Sequence, residues 1–348
     1  MKVVVLFSGS LASRVAGRLV QRHPDVGGVQ LLHFRSPFSS ECGGLRDLLR
    51  EEWFGTTFRT QSLKRDYRRF VDSRVCFSLR RACVQCRTLL LARAARYVER
   101  VGADFLVTGD RLDTWDIKAS DLQSLDAQFG LTGRVLRPLC ASWGQTPERV
   151  DEWAVLDAPR RGRPASDEDL MAAASGLGLE SWDGLCAAQR CKLTVPGFGE
   201  RVARLLAEES FTLNALRLLD FAHVYRAEPD VTIVLAEGED EKHQLQDLFL
   251  PGDLRVYPST PHGPVTLVRT AWDAKNDAER SRVVALAARI TATHSAPGRP
   301  TTLPICFRWE RDDETQVLNA QTFASWRDLL DEPGVTALTL GAPIAAAP

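Results

Sequence analysis

Two stretches of this 348-residue chain carry residue types and spacings that could do chemistry: Cys83-Val84-Gln85-Cys86, and the small-residue loop Ser8-Gly9-Ser10-Leu11-Ala12-Ser13. A thiolate is a strong nucleophile and a soft metal ligand, and nearby cations or a helix N-terminus lower a thiol's pKa. Arg80, Arg81 and Arg87 flank the cysteines, and the spacing of Leu90, Ala94, Tyr97 and Val101 predicts a helix starting just after them. On this reading Cys86 sits near a helix N-terminus. A Cys-x-x-Cys pair has several meanings by itself. Tetrahedral zinc wants four ligands, and the sequence holds no second such pair and no His pair at metal-ligand spacing. A thioredoxin-like redox pair lacks its usual fold context.

The loop follows the apolar, β-branched run Lys2–Phe7 and precedes Leu11, Val15 and Leu19, which form one stripe of a helix. Small side chains let an anion approach backbone N–H groups, and a helix start favours negative charge. Many strand-to-helix turns use Ser and Gly only to turn, so the spacing alone leaves phosphate binding and plain turning both open.

These segments need a scaffold, and composition says what kind. Hydrophobic residues make up 44% and charged residues 26%, enough apolar mass for more than one core. Lys and Arg number 44 against 45 Asp and Glu, which excludes a uniformly basic nucleic-acid binder. No apolar run reaches membrane-span length and the N-terminus lacks a signal-peptide pattern, so the expected location is cytoplasmic, without membrane association. Eight cysteines in such a compartment are not expected to be structural disulfides. Cys42, Cys76, Cys140, Cys186 and Cys306 read as small buried hydrophobes. The near-zero net charge hides an asymmetry. Residues 46–100 hold 14 Lys and Arg against 6 Asp and Glu, while 206–260 hold 4 against 11. One lobe is thus expected to be basic and another acidic.

The first part alternates strand-like and helix-like stretches: strands near 2–7, 29–34, 57–61 and 104–108, with helices between them. Such alternation predicts an α/β fold with a doubly wound parallel sheet. The pattern changes around Pro138. We expect a nucleotide-binding domain over 1–141, a smaller middle region over 142–205, and a C-terminal α+β domain over 206–348. In the last, helices are expected at 213–219, 239–248 and 277–290, and a strand at 231–236.

The ordered set of motifs resembles the PP-loop ATP-pyrophosphatase superfamily, whose fold is adenine nucleotide alpha-hydrolase-like. Within it the chain is similar to MnmA/ThiI-like tRNA thiolases, joined to an NFACT-type RNA-binding module. The resemblance rests on the loop at Ser8–Ser13, then Leu31-Leu32-His33-Phe34, Cys83-Val84-Gln85-Cys86, Gly102–Asp110 and Leu136-Arg137-Pro138-Leu139. It continues with Cys191-Lys192-Leu193-Thr194 and, near the C-terminus, Gly263-Pro264 and Ala288–Ala292. It implies that ATP adenylates a carbonyl oxygen of a tRNA uridine and that sulfur then displaces AMP. Leu6, Ser8, Gly9, Ser10, Leu11, Ser13, His33, Thr108 and Gly109 would bind ATP, with Mg2+ beside the phosphates.

The resemblance also brings Cys191 to the Cys-x-x-Cys pair. Either Cys86 and Cys191 act as a catalytic pair, one carrying persulfide sulfur and the other releasing it, or Cys83, Cys86 and Cys191 hold a 4Fe-4S cluster with one open iron. The implied partners are tRNA and a sulfur donor. The family has Asp where this chain has Ala12, and Gly where it has Ser10, so a magnesium-positioning carboxylate is missing; Asp110 or Asp113 is the expected substitute. Arg65, Arg68, Arg69, Arg80 and Arg81, interleaved with Tyr67 and Phe70, are the expected RNA contacts. A basic face pairing with the acidic lobe is the alternative. Loss of the Asp also leaves open a catalytically impaired RNA-binding scaffold, and the balanced charge leaves open thiolation of a small molecule.

Overall fold

The computed structural model describes residues 1–39, 45–63, 79–111, 118–140, 165–179, 191–192, 195, 197–207, 211–227, 229–260, 262–296, 301–325, 328–329 and 331–338. The chain divides into two compact units, Met1–Thr194 and Val195–Pro348.

The first unit is built on five parallel strands: β1 (Lys2–Leu6), β2 (Gly28–Arg35), β3 (Thr57–Ser62), β4 (Phe105–Val107) and β5 (Val135–Leu136). Their order across the sheet is β3-β2-β1-β4-β5, with every pairing parallel. Helices cover both faces, so β1 is apolar from Val3 to Leu6 instead of alternating. Val3 and Val5 point to one face, where they meet Val15, Ala16 and Val20 of α1 (Leu11–Gln21), Leu48 of α2 (Leu45–Glu52) and Trp53. Val4, Leu32 and Leu106 point to the other face, against Leu91, Ala94 and Val98 of α3 (Leu79–Val101) and Leu125 of α4 (Ala119–Gln128). A fifth helix, α5 (Asp167–Gly176), returns to the α1 face, where Leu170 and Ala174 join its core. The expected doubly wound parallel sheet is therefore present, and β1 sits where the strand order reverses.

Helix α3 differs from the sequence expectation. It begins at Leu79, well upstream of the cysteines, so both Cys83 and Cys86 are inside it. No Pro or Gly separates Leu79 from Leu90, and nothing stops the helix from extending through the pair.

The second unit opens with helices α6 (Phe198–Ala207) and α7 (Leu213–Leu218). Its sheet has seven strands in the order β11-β10-β8-β9-β7-β6-β12, every pairing antiparallel. The strands are β6 (His223–Ala227), β7 (Val231–Ala236), β8 (Leu254–Pro258), β9 (Val265–Arg269), β10 (Thr302–Trp309), β11 (Gln316–Gln321) and β12 (Val335–Ala337). One face packs under the long helix α9 (Asp277–Ser295) through Ala287, Ala288, Ile290 and Ala292. The other face carries Val234, Ala236 and Leu267, packed with Leu218 of α7 and Leu245 of α8 (Glu239–Gln246). Among the described residues, no helix is long and apolar enough to cross a membrane.

A buried ion pair braces the sheet end of the first unit. Arg137, just after β5, is fully buried and donates to both carboxylate oxygens of Asp126 in α4, at 2.7 and 2.8 Å. Removing Asp126 would leave Arg137 with only the longer contact to Asp110, 3.5 Å away, so the cost is expected to fall below the roughly 3 kcal/mol of a wholly uncompensated buried charge. Asp126→Asn is expected to lower the unfolding free energy of this unit by about 1–3 kcal/mol, read as a lower urea midpoint at unchanged slope. An unchanged midpoint would show that Asp110 alone compensates Arg137.

Candidate active site of the parallel-sheet unit

In open parallel sheets, ligands bind beyond the carboxyl ends of the strands, where the strand order switches. The loop after β1 occupies that position. Gly9 has φ 84°, the left-handed conformation that glycine adopts without steric cost. Ser10 then caps α1, its side chain accepting from the Ser13 amide. Three hydroxyls converge here. Ser8 and Ser10 share a hydrogen bond of 2.9 Å, Ser8 Oγ lies 3.2 Å from Ser13 Oγ, and Ser13 Oγ donates to the Ser10 carbonyl at 2.9 Å. The loop thus presents a helix N-terminus, a glycine and three hydroxyls in one place, a set that suits a phosphate group. Leu11 is buried and faces the core, while Ser8 is exposed.

Two further expected nucleotide residues border the loop. His33 stands near the carboxyl end of β2, its Nδ1 2.9 Å from the Phe7 carbonyl, with its ring stacked on Phe58. Gly109 follows β4, and a Cβ there would lie 2.7 Å from the Ser13 nitrogen and 2.8 Å from the Ala12 carbonyl carbon. Backbone meets backbone at this point, so a side chain has no room. Leu6 ends β1 and packs in the core under α3.

Gly109 leads into a network that reaches the cysteines. Asp110 accepts two hydrogen bonds from Arg87, at 2.8 and 3.1 Å, and one from Thr108 Oγ1 at 2.8 Å; Arg137 Nε lies 3.5 Å away. Burial works to raise the Asp110 pKa, but Arg87, Arg137 and Thr108 outweigh it and hold the carboxyl at about 2. Arg87 also donates to Cys83 Sγ at 2.8 Å. One guanidinium therefore ties a thiol of α3 to the segment touching the loop. The buried Cys140 belongs to the same network, donating to the Asp110 carbonyl at 2.9 Å.

This geometry corrects two sequence expectations. Cys83 and Cys86 are one turn apart on a continuous helix, so the N-terminal field invoked for Cys86 is spent upstream at Leu79. Burial, the largest influence on Cys83, pushes its thiol pKa up despite Arg87. Asp110, expected to stand in for the carboxylate missing at Ala12, has both oxygens committed to Arg87, Thr108 and Arg137 and is not free to ligate magnesium. Asp113 lies outside the described residues.

Cys191 pairs with Ser39 in an isolated β-bridge, and the Lys192 amide donates to the Phe38 carbonyl at 2.7 Å. Phe38 and Ser39 follow β2, so this bridge brings Cys191 beyond the carboxyl end of the sheet, as Arg87 does Cys83. The expected RNA contacts Arg65, Arg68 and Arg69, with Tyr67 and Phe70, lie outside the described residues. Arg80 and Arg81 fall in the first turn of α3. Sequence reasoning missed Arg87 as the connector. The signal was its spacing four residues after Cys83, one helical turn.

Two substitutions test this arrangement. Gly109→Ala, whose Cβ would meet the Ala12–Ser13 backbone, is expected to destabilise the parallel-sheet unit, read as a lower thermal unfolding midpoint. The Asp110 carboxyl is depressed from 3.8 to about 2 in the folded chain, so its stabilisation is full above pH ~4 and is lost as pH falls toward ~2. That loss amounts to roughly 2 kcal/mol, and acid unfolding curves of Asp110→Asn are expected to be flatter over this window. Parallel curves for the two proteins would contradict the assignment.

No protein-family model matches the chain, and no curated protein is similar to it. Solved structures give remote likenesses. The U34-tRNA thiolase NcsA from Methanococcus maripaludis, solved with its [4Fe-4S] cluster, is 14% identical with a TM-score of 0.31, over 63% of this chain and 71% of that one. A predicted tRNA methyltransferase subunit from Methanocaldococcus jannaschii is 16% identical with a TM-score of 0.28, over 40% and 69%. The C-terminal part of a fibronectin/fibrinogen-binding protein from Streptococcus suis is 8% identical with a TM-score of 0.25, over 51% and 84%. Likeness this remote transfers no activity, and the fold assignment stands on the sheet order and pairing of the chain itself.

Proposed function

We propose that this chain is a PP-loop-type protein that uses ATP to transfer sulfur to a uridine of tRNA. The observation that carries the reading is the contact path from loop to thiol: the Ala12–Ser13 backbone against Gly109, then Asp110, Arg87 and Cys83 Sγ. A loop suited to phosphate and a thiol held by an arginine are coupled within one sheet end, as a reaction joining nucleotide and sulfur chemistry requires.

In this proposal, amides and hydroxyls of the Ser8–Ser13 loop bind the phosphates of ATP. The uridine carbonyl oxygen attacks the α-phosphorus and pyrophosphate leaves. The resulting AMP ester converts that oxygen into a good leaving group. One of Cys86 and Cys191 carries a terminal persulfide sulfur, which attacks the activated carbon and expels AMP. The other cysteine then attacks the cysteine-bound sulfur, releasing the thiolated base and leaving a disulfide that an external thiol reduces. Placing Cys86 one turn from Cys83 on the same helix, and Cys191 beside Ser39 beyond β2, at the sheet end that carries the loop would make each attack effectively unimolecular.

Cys83, Cys86 and Cys191 are also a donor set suited to an iron–sulfur cluster, three soft thiols with a guanidinium beside one of them. A cluster bound by these three would supply an open iron as a sulfide-binding position. Magnesium fits less well. Among the described residues the loop offers hydroxyl oxygens but no carboxylate, since Ala12 contributes a methyl and Asp110 is committed to arginines. No step here is assigned to a metal. That same deficit favours a second reading, an RNA-binding scaffold whose loop has lost turnover.

The decisive experiment incubates purified protein with bulk tRNA and ATP, supplying sulfide in one arm and a persulfide-level (sulfane) sulfur donor with an external thiol in the other, and reads thiolated nucleosides by mass spectrometry. Product that disappears without ATP, and drops at least a hundredfold in Cys191→Ala, is the expected result. No product together with no heat on ATP titration would overturn the enzyme reading in favour of the scaffold. Anaerobic iron and sulfide analysis chooses between the two sulfur chemistries: the cluster requires iron in wild type that Cys191→Ala loses, whereas iron-free protein active only with the sulfane donor requires persulfide.

A further inference from the structure

The antiparallel unit contains a cluster that sequence spacing did not reveal. His223, Glu237 and His294 bring one ligand atom each to within 4.8 Å of one another. Strand periodicity explains two of them. His223 opens β6 and stands opposite Leu235 of β7, and Glu237 lies two residues beyond Leu235, so both side chains share one sheet face. Tyr225, two residues after His223, lies on that face too. Helix α9 crosses the same face, and His294 is in its last turn. The three residues come from separate elements, which is why no pair at metal-ligand spacing could be read from the sequence.

The contacts are specific. His294 Nδ1 is 2.6 Å from Glu237 Oε1, and His294 Nε2 is 2.8 Å from the Tyr225 hydroxyl. His223 Nε2 is 3.8 Å from the other Glu237 oxygen, and the two imidazole rings are 4.5 Å apart. Two alternatives explain less. A structural hydrogen-bond cluster would not need His223, which makes no close bond to Glu237. A Tyr–His–Glu proton relay would present its hydroxyl to solvent, yet Tyr225 is buried.

We propose that His223 Nε2, Glu237 and His294 Nδ1 form a site for a divalent transition-metal ion of the zinc class. Two imidazoles and a carboxylate are a borderline-hard set suited to Zn2+ or Co2+, and three protein ligands leave a fourth position open. A tetrahedral ion with bonds of about 2.1 Å holds its ligand atoms about 3.4 Å apart, so the present separations need only small adjustments. The mobile members make them: the His223 and Glu237 side chains are 33% and 50% exposed, while His294 at 1% is the fixed post. The same exposure gives the ion a path from solvent. The carboxylate and the negative end of the α9 dipole both favour a cation here.

Tyr225 completes the set. A metal-bound histidine donates its second ring N–H to a neighbour, which fixes the ring and its tautomer. With its proton on Nδ1, the His294 ring donates to Glu237 and accepts from Tyr225. With a metal on Nδ1, the proton sits on Nε2 and the Tyr225 oxygen accepts it. The hydroxyl can do either, so the ion enters without net proton release from this ring. The site is independent of the nucleotide and sulfur reading.

The test uses the full chain with Co2+ alone, followed by competition with Zn2+. Wild type is expected to take up an equivalent of Co2+ with the comparatively intense visible ligand-field bands of a four-coordinate site and without a sulfur-to-metal charge-transfer band, which separates this site from the cysteines. His223→Asn and Glu237→Gln, both at partly exposed positions, are each expected to weaken that uptake at least tenfold while thermal unfolding of the metal-free protein is unchanged. Tyr225→Phe is expected to weaken it tenfold or more while keeping the band shape, the usual size of a lost outer-shell partner. No uptake in wild type, uptake carrying only sulfur bands, or ligand-field bands retained in either His223→Asn or Glu237→Gln would overturn the proposal.

Discussion

A buried carboxylate cannot stay ionised without counter-charge, and Asp110 meets that requirement with two arginines from different elements. Arg87 comes from α3 and Arg137 from the segment after β5, while Thr108 supplies a hydroxyl from the same turn. The position of Asp110 thereby fixes three parts of the sheet end together. Gly109, its neighbour, is pressed against the first turn of α1, and Arg87 in turn holds the sulfur of Cys83. In a low-dielectric interior these links are costly to break singly, which makes the arrangement cooperative. The loop and the cysteine helix are separated in sequence and are linked in space because a charge has to be neutralised.

The price of that rigidity is versatility at Asp110. Committed to two guanidinium groups, it is unavailable as a hard-cation ligand, and the missing carboxylate at Ala12 is not replaced by it. The three serines of the loop satisfy one another in the meantime. A phosphate entering the loop would exchange hydroxyl–hydroxyl bonds for charge-assisted ones, which are stronger.

Much of the first unit was legible because its signals are local. The apolar run of β1, the Leu11–Val15–Leu19 stripe and the Gly-containing turn each follow from short-range sterics and periodicity, and their alternation dictates a parallel sheet. The start of α3 was misread because a Cys-x-x-Cys motif suggests a boundary, whereas the residues around it are good helix formers. The antiparallel unit was less legible. Strand β7 stood out as Val231–Ala236, but β8, β10 and β11 are short or half-exposed, and their register depends on partners far along the chain. His223 and His294 were invisible as a pair for the same reason: sheet pairing and helix packing join them, and neither leaves a spacing in the sequence.

Strand β12 is the last of the second unit, and it pairs with β6, the first. During synthesis the strand bearing His223 therefore emerges early but gains its outer neighbour only when residues 335–337 follow. Closure of the sheet edge is a non-local event, slow by contact-order arguments, and until then β6 is an open template for pairing with other chains. The second unit thus has an aggregation-sensitive window that lasts until residues 335–337 emerge, and in the first unit β1 likewise waits for β4, at residues 105–107, to cover its second edge.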